Sequence, residues 1–119
     1  MTRDALHWHD VDWYDVDLGR GRIAPVPDRL PDLPTRQALR VVDVPLHLDW
    51  SPPGRSADLA DRQQRARVYE VVLREGRPAD IESIVDGALL VDLWDEIVLP
   101  GRLRMAWQPV IDATRCSDG

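Results

Sequence analysis

Between Asp58 and Trp107 the apolar residues recur at helical spacing. Leu59, Ala66 and Leu73 follow at seven-residue intervals, Ala66, Tyr69 and Leu73 keep to i, i+3, i+7, and Val68 and Val72 widen the stripe. That period is helical, not strand-like. Asp58 offers an N-cap carboxylate, and Gly76 followed by Pro78 offers a stop. The pattern predicts a helix over residues 59–75. Asp58–Arg62, Asp61–Arg65 and Glu70–Arg74 each set an acid four residues before a base, the better orientation for a surface pair along a helix.

Three further helices are predicted. One runs from Pro78 to Val85 with Ile81, Ile84 and Val85 inward, and Asp86-Gly87 punctuates it. The next runs from Ala88 to Ile97, with Leu89, Leu90, Leu93, Trp94 and Ile97 on one side and Asp92, Asp95 and Glu96 on the other. The last carries Leu103, Ala106 and Trp107 and is expected to end at Pro109. The predicted fold is mainly α, a small bundle of about four short helices with an extended, partly β, Pro-rich N-terminal half. The boundaries are residues 1–55 for the N-terminal segment and 56–115 for the helical domain.

The N-terminal half has no clean period. In residues 12–18, Asp12, Tyr14, Val16 and Leu18 alternate with Trp13, Asp15 and Asp17, leaving charge on both faces. An extended or edge strand is expected, turning at Gly19-Arg20-Gly21 and returning over Arg22–Val26 as a candidate hairpin. Pro25, Pro27, Pro31 and Pro34 forbid a regular helix. Thr35 is a candidate cap for one turn through Arg40. Residues 40–50 are β-rich in type, but Pro45 restricts them to an edge strand or arm, and Ser51-Pro-Pro-Gly54 leads into the helices. This half either packs over the chain's own helices or orders around a partner.

Composition narrows the functions. The 119 residues carry a net charge of −6. Every basic residue is Arg, and Trp supplies most of the aromatic bulk because Phe is absent. An acidic chain is a poor general nucleic-acid binder and a fitting partner for a basic protein. The single Cys116 excludes an internal disulfide and a multi-Cys zinc site. There is neither an apolar secretory region after Arg3 and Asp4 nor an apolar run near the roughly 20 residues of a membrane span, so the cytoplasm is the expected location.

Candidate chemistry is sparse. His7, His9, Asp10 and Asp12, with His47 or Asp49, are the densest set of metal-ligating types, but a site needs three or four convergent ligands with supporting groups. A solvated or partner-facing segment accounts for them more simply. The acid pairs Asp10 with Asp12, Asp15 with Asp17, and Asp95 with Glu96 give no reason for their pKa values to separate, as acid–base catalysis requires. Ser51, Ser56 and Ser83 lack a base in context, and Gly19-Arg20-Gly21 lacks the third Gly and following helix of a phosphate loop. No catalytic residue, metal site or cofactor is assigned.

Two surfaces stand out. Trp8, Trp13 and Trp50 lie among acids, a composition typical of interface anchors. Asp92, Asp95 and Glu96 crowd a helix C-terminus, where the macrodipole disfavours anions. These six are the candidate partner-binding residues. Arg62, Arg65 and Arg67 are the candidate phosphate contacts of an alternative, a small helical DNA-binding regulator. A small metal-dependent enzyme using His7 and His9 is the second alternative.

Leu48-Asp-Trp-Ser51, Asp58-Leu-Ala-Asp-Arg-Gln-Gln-Arg-Ala-Arg-Val-Tyr-Glu-Val-Val-Leu-Arg-Glu-Gly76 and Asp86-Gly-Ala-Leu-Leu-Val-Asp-Leu-Trp-Asp-Glu-Ile-Val-Leu-Pro100 resemble small, uncharacterised proteins of GC-rich actinobacteria. Those proteins accompany nucleotidyltransferase-like toxins of abortive-infection systems. The resemblance covers residues 40–110 and carries no catalytic motif. It implies an antitoxin-like or accessory role beside a larger or more basic protein.

Overall fold

A computed structural model describes residues 11–44 and 56–118. The alternating N-terminal stretch forms a hairpin: β1 (Trp13–Gly19) pairs antiparallel with β2 (Arg22–Pro27). Gly19, Arg20 and Gly21 all take positive φ at the turn, a conformation that glycine adopts without steric cost. Val16, Leu18, Ala24 and Val26 pack toward the core, while Asp15, Asp17 and Ile23 are exposed. A one-turn helix, α1 (Thr35–Ala38), is preceded by Pro34 at the N-cap position, with no side-chain cap. Then β3 (Val41–Asp43) pairs antiparallel with β4 (Ser56–Asp58). Four helices follow: α2 (Arg62–Glu75), α3 (Pro78–Ile84), α4 (Gly87–Leu93) and α5 (Gly101–Asp118).

The fold is therefore mixed α/β, which corrects the mainly α expectation: the described residues hold two antiparallel two-stranded sheets and five helices. The strands contribute core side chains that the helices alone lack. Ala24 and Val26 of β2, Val42 of β3 and Ala57 of β4 are buried in the same apolar cluster as Val68, Val72, Leu90 and Trp107. Asp58, expected to cap the first long helix, belongs to β4 instead, and α2 begins at Arg62 rather than Leu59. Asp58 closes that strand, and its Oδ1 accepts the Ala60 N–H at 2.9 Å. Asp61 caps α2, accepting from the Gln63 and Gln64 N–H groups at 2.9 and 3.2 Å.

Two helix ends differ from expectation. Helix α4 stops at Leu93, not Ile97, so Asp95 and Glu96 lie beyond it. Helix α5 runs through Pro109. Proline removes the bond its N–H would make to the carbonyl four residues back. Here Met105 and Pro109 are both exposed, so the break falls on the solvent side. Among the described residues, no helix is long and apolar enough to cross a membrane.

The Pro-rich segment is tied to the helices at Asp86 and Gly87. Asp86 is buried, and its carboxylate accepts the Leu33 N–H at 2.9 Å and the Leu89 N–H at 3.1 Å, so it caps α4 and holds the segment together. Its own N–H donates to Tyr69 Oη at 3.0 Å, and the Gly87 N–H donates to the Pro31 carbonyl at 2.7 Å. A Cβ on Gly87 would come within 2.7 Å of both Leu30 Cβ and the Pro31 oxygen. Alanine is the better helix former by about 1 kcal/mol, but a backbone oxygen at that distance cannot move aside alone. Gly87→Ala is expected to cost about 1–3 kcal/mol net and to lower Tm by about 4 °C per kcal/mol. A thermal melt at or above wild type would show that the segment does not dock there.

Burial pushes the Tyr69 phenol up to about 12 from its ordinary 10.0, against a smaller opposing effect from the Asp86 N–H bond. The fold thus favours the neutral phenol. Its contribution is whole below pH 10 and is lost as pH rises through about 12, because the unfolded chain gives up the proton first. Stability of the wild type should fall over that window, and Tyr69→Phe should flatten this part of the profile. The same change strips the Asp86 N–H of its acceptor, at about 1–3 kcal/mol. Denaturant melts from pH 9 to 12 read both effects.

Candidate functional site

The acids at the end of α4 are engaged within the chain. Arg62, in the first turn of α2, forms ion pairs with both Asp92 and Glu96. Hydrogen bonds to Glu96 and then Asp92 raise the Arg62 pKa above its ordinary value. Asp95 projects into solvent, 3.9 Å from Arg104 and 3.8 Å from Arg115. The conflict with the helix dipole is offset by cations from α2 and α5 that lie against the acids. The structure brings Arg62, Asp92 and Glu96 together, although they were assigned to separate surfaces.

The three candidate phosphate contacts do not share a face. Arg65 is buried, with Nη1 donating to the Leu59 carbonyl at 2.8 Å, and so cannot reach a phosphate. Arg62 is committed to its acids. Arg67 is exposed and has its own interaction partner. A cleft of about 540 Å³ lies over this end of α2, lined by Asp61, Arg62, Gln63, Gln64, Arg67 and Glu96. Its paired charges and amides include no nucleophile. The i, i+4 pairs expected along α2 are absent among the described residues, because Asp61 caps, Arg65 turns inward, Arg74 pairs with Glu75 at 3.1 Å, and Glu70 accepts the Val98 N–H at 2.9 Å.

Trp13, a candidate partner-binding residue, is half-buried and makes contacts within the chain. Its ring meets Trp107 edge-on, with centroids 6.4 Å apart, and its indole N–H donates to Glu82 at 2.7 Å. It fastens the hairpin to α5 and α3. Trp94 is buried beneath the Arg104 guanidinium, 4.5 Å from its ring centre, and donates to Gln108 at 3.0 Å. Trp8 and Trp50 lie outside the described residues, as do His7, His9, Asp10, His47, Asp49 and the side chain of Cys116. Among the described residues, no group of three His, Cys, Asp or Glu is placed to hold a metal ion.

The hairpin presents a different surface. Asp12, Asp15, Asp17 and Asp28 are exposed, and none is ion-paired with an arginine among the described residues. Asp28 Oδ1 accepts the Asp12 N–H at 3.1 Å, and Asp17 Oδ1 accepts the Gly19 N–H at 2.7 Å. Ile23, opposite Asp17, is 64% exposed, and Tyr14 is 56% exposed. By the strand register Ile23 shares a face with Asp15 and Asp17, while Tyr14 lies on the other face, on a hairpin pinned by Trp13. No family model, curated protein or solved structure matches the chain.

The alternation of Val16 and Leu18 with Asp15 and Asp17 carried the signal for this face. The carboxylates at the end of α4 obscured it, because their arginine partner lies 30 and 34 residues away in sequence.

Trp13→Phe keeps the ring contact and deletes the indole donor, leaving Glu82 without it. It is expected to cost about 0.5–1.5 kcal/mol and to raise amide exchange in residues 13–27 more than in α2. Equal exchange in the two segments would count against Trp13 as the hairpin's fastening.

Proposed function

We propose that this chain is a non-enzymatic interaction protein, an antitoxin-like or accessory partner of a larger, more basic protein, and that the hairpin is its contact face. The supporting observation is the exposed Ile23 beside Asp15 and Asp17 on one face of the hairpin, two carboxylates that form no ion pair among the described residues. Apolar side chains supply area, and surrounding charges steer a partner of opposite sign and reject others. Packing of Trp13 against Trp107 holds the hairpin before any partner arrives, which lowers the ordering cost of association. Under this reading a nucleotidyltransferase-like toxin, as the resemblance implies, is the partner class, and the cytoplasm is the place of action. The DNA-binding alternative is weakened by the burial of Arg65 and the pairing of Arg62.

The test is co-purification of the tagged full chain from native lysate, beside a variant carrying Asp15→Asn, Asp17→Asn and Ile23→Ser. The wild type is expected to hold a stoichiometric basic protein that raised salt releases. The variant, with an unchanged melt, should bind it at least about tenfold more weakly, equivalent to ~1.4 kcal/mol. A lone wild-type monomer, or equal retention by both chains, would overturn the reading.

A further inference from the structure

We propose that a cavity between the hairpin turn and the start of α5 binds a phosphate group, either as the free ion or at the end of a small ester. The cavity has a volume of about 220 Å³. Three arginines from three elements line it: Arg22 of β2, Arg74 of α2 and Arg102 of α5. Leu18 and Leu103 form its apolar wall. Bringing three cations to one cavity opposes their mutual repulsion, and it does so in a chain whose net charge is −6.

The nearby acids compensate only in part. Arg74 pairs with Glu75 at 3.1 Å. Asp17, on the turn, engages the Gly19 N–H. Arg22 and Arg102 have no carboxylate partner among the described residues, whereas Arg62, Arg104 and Arg115 all do. The position of Arg102 is also set by the fold. Gly19 takes φ +90, and a Cβ there would lie 3.1 Å from Arg102 Nη1. A side chain at residue 19 would push the guanidinium away from the turn.

The backbone at the cavity reinforces the arginines. The first turn of α5 has no acidic residue, and space is open where a Gly101 side chain would stand. The Arg104 N–H bonds back to the Pro100 carbonyl at 2.9 Å, so the N–H groups of Gly101, Arg102 and Leu103 precede the helical ladder and have no acceptor within it. They add the positive end of a helix dipole to a site the arginines define. Guanidinium forks match the oxygens of a phosphate, and its double charge suits converging cations better than a single carboxylate. The volume falls below the roughly 300 Å³ at which pockets begin to enclose drug-sized molecules, so the site grips a head group and leaves the rest of a ligand outside.

This site is separate from the acidic hairpin face, and either can fail without the other. The experiment is an amide-resolved NMR titration of the full chain with sodium phosphate and with phenyl phosphate, at ionic strength matched with sodium chloride. Saturable shifts are expected at Leu18, Gly101, Arg102 and Leu103. Arg102→Gln and Arg22→Gln, both at exposed positions, should each weaken binding at least tenfold with the fold intact, and Arg102→Lys should recover part of the loss. Tighter binding of phenyl phosphate identifies an ester as the ligand, and tighter binding of inorganic phosphate identifies the free ion. The proposal is overturned if no saturation appears by about 10 mM phosphate, if chloride alone produces the same shifts, or if both Gln variants bind as the wild type does.

Discussion

Asp86 sits where the Pro-rich segment, α2 and α4 meet, and each of its polar groups is used. The two carboxylate oxygens take N–H groups from Leu33 and Leu89, and the backbone N–H goes to Tyr69. A buried carboxylate is tolerable only with such partners. The neighbouring Gly87 makes this possible by letting the Pro31 backbone approach without a side chain between them. The prolines, which forbid a helix, leave carbonyl and N–H groups that need partners elsewhere, and this junction supplies two of them. The path of the chain from the hairpin to β3 runs through it.

A second constraint governs charge. Two arginines act across elements rather than along their own helix. Arg62 reaches from α2 to Asp92 and Glu96, and Arg104 of α5 covers Trp94 while its Nη2 donates to the Trp94 carbonyl at 2.8 Å. A pair along one helix offers only a few tenths of a kcal/mol, so it yields readily when capping or tertiary contact competes. Asp61 illustrates this: as an N-cap it satisfies two orphan N–H groups, and its side chain is then unavailable to Arg65. Several charges of the helical half are paired as a result, while Asp15 and Asp17 of the hairpin form no ion pair among the described residues. Beneath the hairpin's turn, Arg22, Arg74 and Arg102 line one cavity. The two proposed activities rest on these two sets of side chains.

The hairpin owes its rigidity to an aromatic contact. Trp13 meets Trp107 edge-on and gives its N–H to Glu82, so the strand that displays Asp15 and Asp17 is fixed to α5 and α3. A tryptophan among acids has the composition of an interface anchor and can equally be the bolt that holds an interface in place. Packing decides which, and composition does not.

The residues themselves determined the local features: the helical stripe through Val68, Val72 and Leu73, the turn at Gly19-Arg20-Gly21 and the strand type of residues 41–43. These depend on periodicity and on backbone freedom, which neighbours in sequence set. Tertiary structure decided that Ser56–Asp58 would be a strand, that Asp61 would cap in place of Asp58, and that α5 would continue through Pro109. It also decided which charges face outward, since Arg62 and Asp92 are 30 residues apart, and that Arg22, Arg74 and Arg102 would share one cavity. The physical reason is the same in each case: a three-residue strand or a side-chain ion pair has little stability of its own, so its existence depends on the partner that folding brings to it.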